Sequence, residues 1–403
     1  MIKRILDIAS RLTIVSLMLS TQIHTHMDLA RPSCCSTCQT NDHSNSFWAD
    51  VDYLCWKIQN SPKLAPLVIQ GPTLAGSPVF DDQNSSIVLG GKKIDTGWRS
   101  GARAALGYWF DCDHCYGAEI NYFFLPNASK KYSVSSNGSP SSSLLSVPYF
   151  NVVTFAKDSV AIASPFFLIA GSATFKLTHA MQGGELNALA TIACHCRSEF
   201  IALAGFRYWN FKEHVTFSTN SPFNPPHVAD TYTTKDIFDT KNNFYGGQLG
   251  LVWQCDYGCL LIMAQGKIAL GAMCESVLIN GYLLTNDYNN FGAVLEYPGG
   301  YFALPTNSGK YSQTKCAAMP ELNFNIGCQL FDWMAIKLGY TFIYASSALW
   351  AGKQIDRNIN PTQAVVYTGT VPPLLLGDAS PKACLKTNGL WVQGLNIGVE
   401  FRF

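Results

Sequence analysis

The chain closes on a segment of strict two-residue alternation. In Leu390–Phe403, Leu395, Ile397, Val399, Phe401 and Phe403 fall on one face. Gly394, Asn396, Gly398, Glu400 and Arg402 fall on the other. A period of two marks a β-strand whose two faces meet different surroundings. One face is wholly apolar and ends on an aromatic. Chain termini usually fray, so such an ending predicts apolar surroundings that hold it in place. Phe401 and Phe403 are therefore expected to serve as a C-terminal insertion signal, read by outer-membrane assembly machinery.

The same division recurs upstream. Leu322, Phe324, Ile326, Cys328 and Leu330 alternate with Glu321, Asn323, Asn325, Gly327 and Gln329. Met334, Ile336, Leu338, Tyr340, Phe342 and Tyr344 alternate with Ala335, Lys337, Gly339 and Thr341. Trp98–Phe110 and Gly117–Phe124 divide in the same way, and Trp48–Lys57, Glu185–Cys194, Phe200–Phe211, Phe244–Trp253 and Leu260–Gly271 are further strands. They run about 9–13 residues, where soluble strands average about 5–6 and tilted membrane strands need about 9–11. Short turns near Asp111–Tyr116, His195–Ser198, Asp256–Gly258 and Phe331–Asp332 alternate with long connections near Ile58–Gly97, Pro126–Ala180, Lys212–Asn243, Ala272–Ala318 and Ser346–Gly389. Tight periplasmic turns and long outer loops are the asymmetry of outer-membrane barrels. Ten strands result, or twelve if Pro126–Ala180 holds a further hairpin such as Tyr149–Phe155 with Ser172–Thr178.

Composition excludes other classes. Hydrophobic residues make up 48 % and charged ones only 14 %, against roughly 25 % charged in soluble proteins. A net charge of +1 excludes a strongly basic nucleic-acid binder. After residue 20 no apolar run reaches the 18 or so residues of a spanning helix. A large closed antiparallel transmembrane β-barrel fits; a secreted β-sandwich explains the alternation but not the strand lengths or loop asymmetry.

Residues 1–30 read as a secretory signal, with Lys3, Arg4 and Arg11 before the short apolar run Leu12–Leu19. Residues 31–46, with Cys34, Cys35 and Cys38, read as a polar tether, and residues 47–403 as the barrel. The expected location is the outer membrane of a Gram-negative-type bacterium, integral to the lipid bilayer.

With apolar faces on lipid, the polar faces line a lumen. Its expected lining is Asp50, Asp52, Arg99, Arg103, Glu119, Glu185, Arg207, Lys267, Glu321, Lys337, Glu400 and Arg402. Many are expected on neighbouring strands: Asp50 and Asp52 beside Arg99 and Arg103, Arg103 beside Glu119, Glu185 beside Arg207, and Glu321 beside Lys337. Glu400 and Arg402 are expected to meet Asp50 and Asp52 where the barrel closes. Ten to twelve strands lie between filled eight-stranded barrels and open porins, so the lumen reads as a narrow ion-lined passage or a closed polar core.

Fourteen cysteines suit an oxidising compartment. Cys112 and Cys115, Cys194 and Cys196, and Cys255 and Cys259 flank short turns. Disulfides within or between these turns are expected over a zinc site with His114 and His195, or free thiols. Catalytic motifs are absent. His179 and His214 near the outer rim, with Glu213 and Asp230, form a weak hydrolase constellation. No enzyme activity and no cofactor are expected.

Several stretches resemble the bacterial outer-membrane family known as beta-barrel porin-7. They are Phe47-Trp-Ala-Asp-Val-Asp-Tyr-Leu-Cys-Trp56, Arg99-Ser-Gly-Ala-Arg-Ala-Ala-Leu-Gly-Tyr-Trp109 and Phe238-Asp-Thr-Lys-Asn-Asn-Phe-Tyr-Gly-Gly-Gln-Leu-Gly-Leu251. Ala303-Leu-Pro-Thr-Asn-Ser-Gly-Lys-Tyr311, Gly352-Lys-Gln-Ile-Asp-Arg-Asn-Ile-Asn360 and the ending Gln393–Phe403 complete the set. The resemblance covers about Phe47 to Phe403 and implies an outer-membrane barrel. The expected function is passive passage of small hydrophilic solutes or ions; the alternative is a closed structural or surface-adhesion barrel acting through its outer loops.

Overall fold

Alternating faces and tight polar turns give long antiparallel strands. The structure is a computed structural model that describes residues 47–71, 85–111, 114–195, 197–223, 231–287, 293–369, 371 and 373–403. The expected signal and tether lie outside these residues, as do Asp230, Cys112 and Cys196. In chain order the strands are β1 (Phe47–Ile58), β2 (Val68–Gly71), β3 (Ser86–Leu89), β4 (Trp98–Trp109), β5 (Tyr116–Ser136), β6 (Leu144–Asn151), β7 (Ala156–Ala163) and β8 (Gly171–His195). Then follow β9 (Ser198–Pro222), β10 (Thr231–Tyr257), β11 (Leu260–Asp287), β12 (Ala293–Pro298), β13 (Gly309–Phe331), β14 (Met334–Leu349), β15 (Asn358–Ile359) and β16 (Thr387–Arg402).

Ten of them form a ring in the order β1, β4, β5, β8, β9, β10, β11, β13, β14, β16, and β16 returns to β1. Every neighbouring pair is antiparallel. Closure leaves no edge to pair with lipid-exposed backbone, which a bilayer requires. Phe47 and Phe403 exchange backbone hydrogen bonds of 3.2 and 2.8 Å at the seam. The twelve-strand alternative is corrected. A hairpin does form inside the β5–β8 connection, from β6 and β7, but it joins a separate sheet with β2, β3 and β15. Ser172–Thr178 is the start of β8 itself.

Outward positions show where lipid lies. On β10 they are Tyr245, Gly247, Leu249, Leu251 and Trp253 next to the short turns, then Asn243, Lys241, Asp239, Ile237 and Lys235 beyond, polar but for Ile237. Tyr245 to Trp253 is about 27 Å of strand at roughly 3.4 Å per residue. A tilt of about 40° shortens this to roughly 20 Å, close to the apolar band of such barrels. Aromatics bound the band at both edges. Phe331, Trp333, Phe401 and Phe403 stack in sequence at the short-turn edge. At the other edge Tyr122, Tyr208 and Tyr340 donate to Gln182, Asn243 and Gln393, at 3.0, 3.3 and 2.9 Å.

Strands β8–β11 and β13 run far past the band, where long loops were expected. The reason is a switch of phase. In the band the apolar residues of β9, such as Phe206 and Tyr208, face out. Beyond it Phe211, Val215 and Phe217 face in and are fully buried. The second sheet and its flanking loops pack against those inward side chains. Leu67, Val68, Leu145, Val147, Ile162 and Ile359 share one core with Phe175, Phe217, Phe238 and Ile279 of the wall. This inserted layer forms a cap in the outer half of the barrel.

Candidate functional site

The lumen is the site to which the inward residues belong, and it changes character along its length. Next to the short turns lies a cavity of about 370 Å³, bounded by Trp48, Trp109, Glu119, Asn325 and Arg402. Asp52 and Arg103, facing residues of β1 and β4, pair on its wall at 2.6 Å. Lys337 bonds Asp50 and lies 3.5 Å from Glu400, whose other oxygen accepts from Arg402 at 2.7 Å. Room for these groups comes from inward glycines. A side chain at Gly398 would strike the Asp52 carboxylate, and one at Gly107 the Trp48 indole.

Above the cavity an ionic layer crosses the lumen. Arg207 Nη2 lies 2.5 Å from Glu185 Oε1 and 2.5 Å from Glu321 Oε2. Lys267 Nζ lies 2.9 Å from Glu185 Oε2 and 3.0 Å from Glu321 Oε1. Glu185 faces Arg207 across one strand pair and Lys267 faces Glu321 across another. The remaining contacts, Arg207 to Glu321 and Lys267 to Glu185, span the interior. Gln248 donates to Glu185 at 3.0 Å and to Asn187, and Asn187 donates to Glu119 at 3.1 Å. On the other side Asn323 donates to Glu321 at 2.6 Å and accepts from Thr341 at 2.6 Å. Thr341 accepts from Asn396 at 2.7 Å, and Asn396 accepts from the Trp56 indole at 2.7 Å. Each of the four charges Glu185, Arg207, Lys267 and Glu321 thus touches two of opposite sign, as burial demands.

A packed apolar layer follows. Trp56, Trp209, Phe211, Phe244, Met273, Ile343 and Trp350 fill it. Trp350 comes from the connection between β14 and β16, which enters the barrel. Three wall residues hold that connection. Asn242 accepts from the Leu349 N–H at 2.6 Å and donates to its carbonyl at 3.1 Å. Glu213 accepts from the Ala351 N–H at 2.6 Å, and Glu275 accepts from the Ser347 hydroxyl at 2.7 Å. Asp236 binds the 301–303 loop similarly, accepting from the N–H groups of Tyr301, Phe302 and Ala303 at 3.1, 2.8 and 2.7 Å.

All twelve expected lining residues lie at inward positions, but three neighbour assignments are corrected. Lys337 bonds Asp50 and Glu400, not Glu321, because β14 sets Lys337 opposite Gly327. Arg99 faces Trp56 and donates to the Pro126 carbonyl, with no acid beside it. Glu119 accepts from Asn187 rather than pairing with Arg103. The network residues Gln248 and Asn187 and the anchors Asp236, Asn242 and Glu275 were not singled out from sequence; Asn323 and Asn396 were placed only on polar faces, and Glu213 only in the hydrolase constellation. Their signal was present: in Phe238–Leu251, Asn242, Phe244 and Gln248 share the inward phase and reach the anchor, apolar and ionic levels in turn.

The weak hydrolase constellation is split by the wall. His179 and Glu213 face each other inside, whereas His214 bonds Asp239 outside. Cys255 and Cys259 are both free thiols, the first buried and the second exposed, so that turn carries no disulfide of its own. Cys115 and Cys194 are not among the free thiols. Among the described residues no group of His, Cys, Asp or Glu is arranged to hold a metal.

A model of the family described as putative beta barrel porin-7 matches residues 48–403. The chain belongs to this family. It is an integral outer-membrane protein. Among solved structures, the outer-membrane protease OmpT from Escherichia coli is 9 % identical, covering 92 % of this porin-7 chain and 100 % of its own, with a TM-score of 0.46. A FadL homologue from Pseudomonas aeruginosa is 8 % identical over 89 % and 91 %, with a TM-score of 0.21. No curated protein matches the chain.

The porin-7 anchors outside the bilayer carry a pH dependence. Burial raises the Glu213 carboxyl to about 7, against the N–H bonds of Ala351 and Gly352. Burial raises Asp236 to about 6, against its three N–H bonds. Both folded values exceed the unfolded ones, so folding takes up protons between about pH 4 and 7. Their contribution is full below the unfolded pKa and is lost as pH rises through the folded one. Amides of residues 301–303 and 349–352 are therefore expected to exchange faster at pH 8 than at pH 5, beyond the intrinsic rate change. Glu213→Gln should flatten that dependence at 349–352; equal protection at both pH values would contradict it.

Proposed function

We propose that this barrel is closed at rest and serves as an outer-membrane scaffold that presents its cap at the cell surface, in place of passive solute passage. One observation carries the reading: side chains bridge the lumen at the ionic layer, and a packed aromatic layer with inserted chain lies directly above. Water and ions entering the cavity from the periplasm meet both. The cap offers exposed aromatics for contact, Phe155 at 78 % and Phe166 at 81 % exposure. Phe401 and Phe403, stacked in the lower girdle, suit the expected reading of the last strand during assembly.

The test is conductance of the purified, heat-modifiable protein in a planar bilayer. Folded protein should insert without discrete current steps. Reproducible steps of one size would overturn the closed reading and return the lining charges to the role of selectivity determinants.

A further inference from the structure

The outer wall of the barrel carries a second feature, independent of the lumen. On the extensions of β5, β8, β9 and β10 the outward positions hold Lys131, Lys176, Lys212, Lys235 and Lys241 against a single carboxylate, Asp239, which is bonded to His214. Two of these lysine pairs sit directly opposite one another in the ladder. Lys131 faces Lys176, and Lys212 faces Lys241. Like charges in facing positions of a sheet destabilise it. None of these four lysines has an ion pair among the described residues, and all four are exposed. The chain had ample alternatives at outward positions, since the same strands place Thr174, Thr178, Thr216 and Ser218 between them.

Height matters as much as charge. Lys212 and Lys241 lie four residues beyond Tyr208 and Tyr245, the upper aromatic girdle. That is about 14 Å along tilted strands, or roughly 10 Å above the hydrocarbon edge. Lysine side chains reach several ångströms and bend toward the level their charge prefers. The Lys212 and Lys241 ammonium groups thus stand at the headgroup level of the outer leaflet, on the lipid side of the wall, whereas Lys176 lies level with Thr216, four residues farther out, and the Lys131–Lys176 pair stands about twice as high.

We infer that this face binds phosphate-bearing headgroups of outer-leaflet lipid, the facing pair Lys212 and Lys241 gripping phosphate. An anion between facing lysines turns a repulsive ladder contact into a bridged one. Near a charged bilayer each lysine contributes roughly a factor of five in affinity.

The folded full-length protein in zwitterionic detergent can be followed by the midpoint of its heat-dependent gel shift. Diphosphorylated lipid A, the same lipid without phosphates, and inorganic pyrophosphate are added in turn. The phosphorylated lipid alone should raise the midpoint. Its apparent affinity should fall about 30-fold in Lys212→Gln/Lys241→Gln, a factor of about five per lysine, and persist in Lys212→Arg/Lys241→Arg. Without lipid, the Gln pair should melt higher than wild type, because the repulsion is gone. Should that pair fail to fold, Lys241→Gln alone is read in the same way, with a fall of about fivefold. Equal responses of wild type and Gln variants, or an equal response to the dephosphorylated lipid, overturn the inference. A response to pyrophosphate equal to that of the lipid assigns the face to free phosphate and overturns it too.

Discussion

Arg207→Met is expected to destabilise the folded barrel by roughly 3–5 kcal/mol, the usual effect of removing one partner from a buried ion cluster. Arg207 is 3 % exposed and touches both Glu185 and Glu321, which are 8 % and 5 % exposed at their side chains. Without it two buried carboxylates share Lys267 alone. The loss is read from the denaturant midpoint of the protein in detergent micelles. Arg207→Met combined with Glu321→Gln leaves one carboxylate, Glu185, on one ammonium, Lys267, and should recover much of the stability. The coupling in the double-mutant cycle should exceed about 1 kcal/mol, as expected for groups in one network. Simple addition of the two single effects would show that the layer is not an energetic unit.

Trp350→Ala should release the inserted connection while the ring of strands persists. Trp350 is 2 % exposed, and its ring meets Phe211 edge-on at 5.6 Å. Truncating a buried Trp costs about 3–5 kcal/mol through lost contacts and the cavity left behind. Beside Trp350 the connection is held by the hydrogen bonds of Glu213 and Asn242, and farther on by Ile355 and Ile359 in the cap core, so that loss falls on local opening around Trp350 rather than on the ring of strands. Trypsin cleavage after Lys353 should rise by a hundredfold or more, since 3 kcal/mol is about two powers of ten in an opening equilibrium and proteolysis tracks that population. The heat-shift midpoint should stay near that of wild type. Trp350→Phe should behave mildly, because the indole N–H has no partner to lose. A single transition in which strands and connection unfold together would contradict a separable plug.

The ring of ten strands was legible in the sequence because a bilayer enforces one simple rule over a fixed length. Outward positions must be apolar for about nine residues, so period-two segments such as Leu322–Leu330 and Leu395–Phe403 announce themselves. The same rule assigned the twelve charged lining residues from Asp50 to Arg402 to the lumen. It failed where the rule itself changes. Beyond the girdle the outward face of β9 turns polar at Lys212 and His214, and the apolar residues Val215 and Phe217 turn inward to meet the cap. A reading in one phase ends the strand there and reports a loop.

What sequence alone determined is therefore the membrane segment: its strands, its faces and the side on which its termini meet. The tertiary structure decided which side chains meet across the lumen. Neighbour reasoning pairs Glu185 with Arg207 across one ladder step, but the contact from Arg207 to Glu321 crosses the barrel between strands separated by β10 and β11. Such contacts depend on the barrel radius, and the radius follows from closure, which no local pattern records. The same holds for Trp350, whose place between Phe211 and the opposite wall follows from a connection folding back inside. Asn242, Glu213 and Asp236 acquire their roles only when that chain arrives, because a buried polar group takes its meaning from the partner that relieves its burial.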